Sequence, residues 1–326
     1  MKAFRLEDSS TGVQLQNVPI PDPSAGQALI AVEAAGICHS DVHIIKGHGK
    51  SWAQPRPITL GHEVAGTIAK LGPGPSPFRI GDRVAIALIS HPVGAGSWEE
   101  AVGLGYDGGY AEYALAFQKH LVRIPDGVSF AQAAVATDSI ATAYHAVVTE
   151  AKVTASSTVA IIGLGGLGLN GIIFAALQGA KVYGIDVNED KFEDAKRFGA
   201  IDCAKALDKF SDIVFDAIVD FAGVGSTTAS AISAVKEGGC VVLVGLGAAS
   251  IHLDPTQLVT RMVTLQGSLG ASLDELRTVL DLIASGSITP RLQEIPFEQL
   301  PQGLQLLEKN EAQGRLFLSP NKGPRL

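Results

Sequence analysis

Two short segments in the N-terminal part of the chain contain a cysteine and histidines. Residues 36–43 read GICHSDVH and include Cys38, and residues 61–66 read GHEVAG and include His62. A cysteine thiolate and a histidine imidazole are ligands that zinc prefers, and a catalytic zinc takes three protein ligands and leaves one position open. Alone, however, Cys38 could be a small buried hydrophobic residue, and His62 a histidine that is satisfied in a turn. The chain has no CxxC or HExxH spacing, so both interpretations stay open on chemistry alone.

A second stretch, residues 158–191, carries the pattern of a nucleotide-binding turn. The apolar run Val159–Ile162 ends at the sequence GLGGLG, a helical pattern follows, and a second β-type run covers Lys181–Ile185. This order of strand, glycine turn, helix and strand is the fingerprint of a dinucleotide site, whose pyrophosphate faces the helix N-terminus. The first glycine permits the tight turn, the second admits the pyrophosphate, and the third allows close packing of helix and strand. The predicted cofactor-binding residues of this turn are Gly163, Gly165, Gly166, Leu167 and Gly168.

The acidic residue Asp186, directly after the second strand, predicts which dinucleotide binds. A carboxylate there accepts hydrogen bonds from the adenosine ribose hydroxyls. It would repel a 2′-phosphate by about 4 kcal/mol per unit charge at ~4 Å and an effective dielectric constant of ~20, which favours NAD over NADP by well over tenfold. The alternative is that Asp186 caps a helix that begins near Glu189.

Length and composition set further limits. With 326 residues the chain is long for one core, so we expect two domains. Hydrophobic residues make up 46% and charged residues 18%, which is typical of a well-buried α/β protein. The net charge of −8 argues against a nucleic acid partner. No apolar run is long enough to span a membrane, so we expect no membrane association. Three scattered cysteines and an N-terminus without a signal-peptide core predict a cytoplasmic protein.

The periodicity of the chain predicts the elements that must position these residues. Residues 1–130 contain short β-type runs between segments dense in glycine and proline, which predicts a β-rich domain with irregular loops. A helical pattern over 130–149 then leads into six strands that alternate with helices, which predicts a complete doubly wound sheet. The tail from Ile288 has no place in that sheet, so we expect it to return to the first domain. The six strand candidates are Val159–Ile162, Lys181–Ile185, Ile201–Cys203, Ala217–Asp220, Cys240–Val244 and Val263–Gln266.

Several further motifs occur in one order along the chain. They are Cys38-x-Ser40-Asp41-x-His43, Gly61-His62-Glu63-x-x-Gly66, Gly81-Asp82-x-Val84, the stretch DGGYAEY at 107–113, and the turn GLGGLG. In this order and at these separations the chain resembles the zinc-dependent medium-chain alcohol dehydrogenases, nearly from end to end. The resemblance implies a GroES-like catalytic domain made from both chain ends, residues 1–138 and 287–326. Residues 139–286 would form an NAD-binding Rossmann domain between them, and homodimers or homotetramers are common in such a family.

The resemblance also implies a set of zinc ligands. Carried over by motif, Cys38 and His62 are the first two ligands. The third lies just before the linking helix, where the family commonly has a cysteine and this chain has Asp138. Some members use aspartate there, and a carboxylate oxygen is an acceptable zinc ligand. Glu63 would lie beside the metal or serve as an alternate ligand during turnover, and the alternative for Asp138 is that it only caps a helix.

One departure from the family pattern concerns the number of metal ions. The structural zinc of the family needs four closely spaced cysteines between Val84 and Gly109, and this chain has none there. His91 is the one soft ligand in that segment, and one histidine cannot build a site. We therefore expect one catalytic zinc per chain and no structural zinc.

The resemblance further implies a proton route and contacts with the cofactor. Ser40 would pass the proton of the alcohol, by way of the cofactor ribose, to His43 near solvent, a role that suits the imidazole pKa of about 6.5. A surface histidine is the alternative for His43, and a solvated charge is the alternative for Arg315. The implied cofactor contacts are His39 and Arg315 on the phosphates, Lys191 on the adenosine ribose, and backbone groups near Val244, Ser268 and Gly270 on the carboxamide.

These observations favour reversible NAD-linked oxidation of a small-molecule alcohol to an aldehyde or ketone. Ser40, His43 and Glu63 are the candidate catalytic residues, and Trp52 is a candidate wall of a narrow alcohol pocket. One alternative is a zinc-free quinone or double-bond reductase of the same superfamily, whose members lack the Cys38, His62 and Glu63 set. The other is a non-catalytic nucleotide-binding protein, against which an intact Ser40 and His43 argue.

Overall fold

A computed structural model describes residues 1–8, 11–47, 52–53, 56–312 and 314–321. The chain divides into two compact units. The discontinuous unit comprises Met1–Ala141 and Ala271–Leu326, and the central unit comprises Thr142–Gly270.

The strands have the following bounds in chain order: β1 Lys2–Leu6, β2 Val13–Asn17, β3 Gln27–Gly36, β4 Ile58–Thr59, β5 Glu63–Leu71, β6 Arg83–Ile86, β7 Ile89–His91, β8 Tyr113–Phe117, β9 Leu121–Arg123, β10 Thr158–Ile162, β11 Lys181–Ile185, β12 Ala200–Ala204, β13 Phe215–Asp220, β14 Val235–Leu243, β15 Thr264–Gly267, β16 Ala271–Ser272, β17 Leu292–Ile295 and β18 Arg315–Leu318.

The α-helices are α1 His39–Ile45, α2 Phe130–Val135, α3 Ala141–Tyr144, α4 Gly166–Leu177, α5 Phe192–Arg197, α6 Ser226–Ala234, α7 Pro255–Thr260, α8 Leu273–Ala284 and α9 Leu300–Glu308. The predicted helical stretch over 130–149 is interrupted by two π-helical turns, Ala136–Ile140 and His145–Glu150.

The central unit contains a six-stranded parallel sheet in the order β12-β11-β10-β13-β14-β15. Strand order reverses between β10 and β13, which is the switch point where doubly wound sheets bind ligands beside the carboxyl ends of their strands. Val159, Ala160 and Ile161 of β10 are fully buried, because a parallel sheet with helices on both faces needs apolar residues throughout. The predicted six-stranded doubly wound sheet is thereby confirmed.

The discontinuous unit is built on a sheet in the order β17-β18-β3-β5-β6-β9, and β8 also pairs with β3. Strand β18 runs antiparallel to β3, with Phe317 opposite Gly36 and Leu318 opposite Ala35. The tail of the chain therefore returns to the sheet that the N-terminal segment forms. This return brings Arg315, the first residue of β18, into the same unit as β5.

Helix α8 belongs to the discontinuous unit, and the domain boundary at 286/287 stays a prediction. Helix α8 packs against β9, β16 and the π-helical turn 136–140, all in the discontinuous unit. Its apolar face, Leu276, Val279, Leu280 and Ile283, is buried. The apolar pattern over Leu273–Ala284 predicts a helix with the observed bounds, but only packing decides which unit the helix joins.

Within the described ranges, the structure contains no helix whose length and hydrophobicity would let it cross a lipid bilayer.

Candidate metal centre and nucleotide site

Three side chains from distant parts of the discontinuous unit converge on one point. The Sγ atom of Cys38 lies 3.5 Å from Oδ2 of Asp138, and Nε2 of His62 lies 3.5 Å from the same oxygen. Together with Glu63 they offer four ligand atoms that all lie within 4.8 Å of one another. Cys38, His62 and Glu63 are buried, and the side chain of Asp138 is 13% exposed. We call these four residues the metal cluster.

The donor set and its spacing fit a zinc ion. Ligand atoms on a tetrahedral zinc with bonds of ~2.0–2.3 Å lie about 3.3–3.8 Å apart, and the two distances of 3.5 Å to Asp138 fall in this range. Burial by itself would lower the pKa of His62, but the negative charges of Asp41 and Cys38 and a hydrogen bond with Asp138 raise it well above its usual value. The acidic groups around His62 therefore stabilise a positive charge at this point. A bound divalent cation would supply that charge.

Local backbone geometry places the first two ligands. Cys38 is the N-cap residue of α1, so its side chain lies at the junction between β3 and that helix. Gly61 has a φ of +94°, a conformation that side chains rarely adopt, and a Cβ there would lie 2.6 Å from the ring of Tyr110. This glycine turns the chain so that His62 precedes β5 with its imidazole inside the unit.

The third candidate ligand, Asp138, lies in the π-helical turn Ala136–Ile140. The preceding helix α2 begins at Phe130, and its cap is Ser129, whose Oγ accepts the N–H of Gln132 over 3.2 Å. Asp138 is therefore inside a helical segment and does not cap one, so the capping alternative does not hold. Single π-helical turns are frequent at functional sites, because they re-aim a side chain that a regular helix would direct elsewhere.

Glu63 forms a buried ion pair with Arg315. Nε of Arg315 donates to Oε2 of Glu63 over 3.2 Å, and Nη2 contacts Oε1. Burial raises the pKa of Glu63 to about 7, although the guanidinium opposes this shift. The same guanidinium lies 3.7 Å from Oδ2 of Asp138. Arg315 is thus not a solvated surface charge, and its contact with cofactor phosphates stays a prediction.

One residue of this site, Asp41, is missing from the sequence-based site list. Its Oδ2 accepts the backbone N–H of Cys38 over 3.2 Å, and its Oδ1 lies 3.4 Å from Nδ1 of His62, within ion-pair distance but without hydrogen-bond geometry. A carboxylate on the second imidazole nitrogen of a metal ligand fixes the orientation of the ring. The signal was available, because Asp41 follows Cys38 by three residues and therefore faces it across the first helical turn.

The predicted relay residues lie on the same helix. Ser40 Oγ lies 3.6 Å from Cys38 Sγ, so the hydroxyl borders the cluster. The ring of His43 is 5.9 Å from that of His39 and 6.3 Å from that of Trp52, and His43 is half-buried. His39 is more exposed, yet desolvation and the charges of His43 and Arg315 lower its pKa.

The glycines of the turn in the central unit differ in backbone conformation and in surroundings. Gly163 has a φ of +84°, as a tight turn after β10 requires. A Cβ on Gly168 would lie 1.8 Å from the carbonyl oxygen of Gly163, so this glycine lets α4 pack against the turn. A Cβ on Gly165, the N-cap of α4, would meet nothing within 4 Å, which leaves open space at the helix N-terminus. Gly166 and Leu167 form the first turn of α4.

Asp186 closes this turn from the end of the next strand. Its Oδ2 accepts the N–H of Leu164 over 2.7 Å, and its Oδ1 accepts the N–H of Asn188 over 2.8 Å. The following helical turn is capped by Asn188, whose side chain accepts the N–H of Asp190, so Asp186 is not its cap. A carboxylate offers about four acceptor positions, so two remain for ribose hydroxyls. Lys191 ends the same turn and is half-buried.

The remaining predicted cofactor positions follow β14 and β15. The N–H of Val244 binds the carbonyl of Asp220 over 3.0 Å, and the N–H of Ser268 binds that of Leu243 over 2.9 Å. Ser268 is buried, and its Oγ has no hydrogen-bond partner among the described residues. Gly270 has a φ of +58°. These positions lie at the carboxyl ends of the strands, where doubly wound sheets bind ligands.

A second residue missing from the sequence-based list is Asp220, at the end of β13. Its carboxylate accepts two backbone N–H groups and two threonine hydroxyls, and it is fully buried. The donors, at 2.7–3.0 Å, are Ala222, Gly223, Thr227 and Thr228. Asp220 therefore fixes the loop beside the switch point of the sheet.

Two segments of this chain match known protein families. Residues 24–126 match the family model of the alcohol dehydrogenase GroES-like domain, and residues 166–285 match that of the zinc-binding dehydrogenase domain. The NAD-dependent alcohol dehydrogenase of Sulfurisphaera tokodaii is 32% identical, over 98% of this chain and 100% of that protein.

Solved structures agree with this relationship. The acetophenone reductase of Geotrichum candidum, solved in complex with NAD, has a TM-score of 0.87 and 33% identity, over 98% of this chain and 96% of that one. A thermostable alcohol dehydrogenase from Pyrobaculum aerophilum, solved with cobalt and zinc bound, has a TM-score of 0.88 and 26% identity, over 98% and 99%. The predicted pairing of a GroES-like domain with a Rossmann domain is thereby confirmed. The chain belongs to the zinc-type medium-chain dehydrogenase family, to which the alcohol dehydrogenases belong.

Proposed function

We propose that this protein is an NAD-linked alcohol dehydrogenase that holds one zinc ion on Cys38, His62 and Asp138. It oxidises a small-molecule alcohol to an aldehyde or ketone, and the reverse reaction reduces the carbonyl compound. The observation that carries the proposal is the convergence of a cysteine sulfur, an imidazole nitrogen and carboxylate oxygens within 4.8 Å. Relatives that are NAD-dependent alcohol dehydrogenases supply the reaction type.

Three of the four cluster residues, Cys38, His62 and Asp138, would hold the metal while Glu63 pairs with Arg315, and three protein ligands are typical of a catalytic zinc site that keeps one position open for substrate. When bound, zinc supplies Lewis acidity that lowers the pKa of a hydroxyl group, and NAD accepts the hydride. Asp41 orients the imidazole of His62 from its other nitrogen. Arg315 and Glu63 form a buried pair beside Asp138, so the cluster keeps a compensated charge on that side.

Ser40 and His43 move the proton that the alcohol loses. The Ser40 hydroxyl borders Cys38 and accepts the proton from the substrate hydroxyl while it donates its own onward. His43 is three residues further along the same helix, so both side chains lie on one face of it. An imidazole titrates near neutral pH and can release the proton to solvent.

The glycine turn and Asp186 bind NAD. The N-terminus of α4 faces the pyrophosphate with unpaired N–H groups, and the open space at Gly165 admits it. Asp186 accepts the ribose hydroxyls and disfavours a 2′-phosphate. His39 and Arg315 on the phosphates, Lys191 on the ribose, and Val244, Ser268 and Gly270 on the carboxamide complete this part of the proposal.

We also propose one zinc ion per chain. Residues 84–109 contain no cysteine, and other contacts support this lobe. Glu100 accepts a hydrogen bond from Lys119 over 2.6 Å, and the rings of Tyr106 and Phe117 pack edge to face at 5.7 Å. A cytoplasmic location and a homodimer or homotetramer, with the exposed edge strand β15 as a seam, belong to the same proposal.

Metal analysis combined with an alcohol assay tests this function. We expect one equivalent of zinc per chain and NADH formation from alcohols with NAD. A chelator should abolish both, and added zinc should restore both. A panel of primary, secondary and aromatic alcohols reports substrate width, and equal rates across the panel would rule out a pocket narrowed by Trp52.

Other outcomes of the same experiment would identify the alternatives. Protein without zinc that reduces a quinone or an activated double bond in the presence of chelator would be the zinc-free reductase. Protein that binds NAD but gives no alcohol-dependent NADH signal, with zinc bound, would be a non-catalytic nucleotide-binding protein.

A further inference from the structure

Tyr110 is fully buried and contacts residues next to the candidate metal ligands. Its hydroxyl donates to Oδ2 of Asp41 over 2.6 Å, and its ring packs over Gly61, the residue before His62. Neighbouring backbone bonds tie the same segment to this loop: the N–H of Tyr110 binds the carbonyl of Leu60 over 3.0 Å. Tyr110 therefore contacts both the turn that carries one candidate ligand and the carboxylate that contacts two of them.

We infer that Tyr110 is a positioning residue for the metal ligands: its hydroxyl holds Asp41, and Asp41 in turn holds the imidazole of His62 and the N–H of Cys38. The inference rests on the proposed function, because it assigns Tyr110 a role toward a bound metal. Asp41 Oδ1 lies 3.4 Å from His62 Nδ1, and Asp41 Oδ2 lies 3.2 Å from the backbone nitrogen of Cys38.

The contact lengths explain why the hydroxyl matters. The bond from Tyr110 is the shortest that Asp41 makes, and the other two contacts are long. Asp41 is fully buried, so a solvent molecule has no open path to replace a lost donor. Without the hydroxyl, the carboxylate can rotate away from His62 Nδ1, and the imidazole loses the charged neighbour that lies 3.4 Å from this nitrogen.

The variant Tyr110→Phe removes the contact with Asp41 and also a longer one, 3.3 Å, to the carbonyl oxygen of Gly36. It keeps the ring that packs on Gly61 and the backbone bonds of the segment, and it removes only the hydroxyl. We expect the zinc dissociation constant to rise about tenfold, since loss of partners behind a metal ligand typically lowers affinity 10–100-fold. Chelator competition measures the constant without any activity assay. The absorption spectrum of the cobalt-substituted protein should shift in the same variant, because it reports ligand geometry.

Tyr106→Phe is the matched control. Tyr106 also has a buried hydroxyl in the preceding loop, but this hydroxyl has no hydrogen-bond partner among the described residues. Its removal should leave the zinc constant and the cobalt spectrum unchanged. A purely structural role of Tyr110 would lower the melting temperature and leave both metal readouts at wild-type values.

A double-mutant cycle with Asp41→Asn tests the route. If Tyr110 acts through Asp41, Tyr110→Phe should change the zinc constant little further in the Asp41→Asn protein. Additive effects would overturn the inference, and so would a zinc constant in Tyr110→Phe equal to that of Tyr106→Phe. If the wild-type protein binds no zinc, the proposed function fails together with the inference. If the wild-type protein binds zinc and Tyr110→Phe has the same zinc dissociation constant, the inference is overturned and the proposed function is not.

Discussion

The metal cluster and the nucleotide turn are built in opposite ways. The turn and its acidic residue come from one stretch, residues 163–186, and most of its chemistry is offered by backbone N–H groups and by empty space at Gly165. The metal cluster takes single side chains from the start of α1, the start of β5 and a π-helical turn, and β18 adds Arg315. A site that binds its ligand through backbone groups should tolerate side-chain changes that add no atoms near the ligand. A site that binds through side chains should lose its ligand when one donor is removed.

Their electrostatics differ in the same way. The cluster concentrates buried carboxylates and a thiolate, which raise the pKa of His62 and are balanced on one side by Arg315. The turn relies on partial charges at the N-terminus of α4, which act over the first turn of a helix and need no burial of charge. The cluster should therefore depend on its metal for charge balance, and the turn should keep its shape without its nucleotide.

The largest expected effect is that of Asp138→Ala. This variant should lose zinc and, with it, about 1,000-fold or more of the alcohol-dependent rate, because Lewis acidity contributes several kcal/mol and each 1.36 kcal/mol is tenfold. Metal analysis and NADH absorbance measure the two losses.

Two companion variants sharpen the test of Asp138. Asp126→Ala removes an exposed carboxylate ahead of the same helix and should change neither value. Asp138→Cys should keep the metal, since a thiolate is a preferred zinc ligand. Full zinc occupancy in Asp138→Ala would show that another residue is the third ligand.

A smaller effect should separate two glycines of the turn. Gly168→Ala places a methyl group 1.8 Å from the Gly163 carbonyl oxygen, so we expect the free energy of unfolding to fall by about 1–3 kcal/mol. Gly165→Ala meets no atom and should lose less than about 1 kcal/mol of stability, from the weaker helix cap. It should, however, weaken NAD binding about tenfold or more by occupying the space of the pyrophosphate.

Thermal unfolding and NAD titration of both proteins measure this separation. Equal loss of stability in the two variants, with NAD affinity intact in Gly165→Ala, would mean that Gly165 is a folding residue and not a binding residue.

The third prediction concerns the choice between NAD and NADP at Asp186. Asp186→Asn removes the charge but keeps one acceptor for the N–H of Leu164 or Asn188, so the fold should be retained. The preference for NAD over NADP should narrow about tenfold or more, because the repulsion of the 2′-phosphate is lost. Asp190→Asn, an exposed acid in the next turn, is the control and should not change the ratio. An unchanged preference in Asp186→Asn would contradict its assignment to the ribose.

Secondary structure followed closely from pattern, and site geometry followed only in part. The patterns over Gly166–Leu177, Pro255–Thr260 and Leu273–Ala284 predict helices, and α4, α7 and α8 have these bounds. A glycine, an aspartate and a serine precede them in turn, and α4 and α8 also bury apolar residues, whereas α7 buries none. The same pattern could not show that α8 packs in the discontinuous unit, since an apolar face does not identify its partner. Nor could it show that Asp138 lies in a π-helical turn, because the hydrogen-bond shift that makes such a turn leaves no periodic signal.

The sequence by itself determined the doubly wound sheet and the nucleotide turn, because these depend on local order along the chain. The candidate ligands were implied by the motifs that resemble those of the zinc-dependent medium-chain alcohol dehydrogenases. Only the tertiary structure decided that Cys38, His62 and Asp138 share one point, that Arg315 is paired with Glu63, and that Asp41 and Tyr110 support the ligands from behind. Such contacts join residues far apart in the chain, and their distances are set by how the β5 sheet, α1 and the returning β18 pack. The physical reason is that a side chain's neighbours in space are fixed by packing, whereas its neighbours in sequence fix only its local conformation.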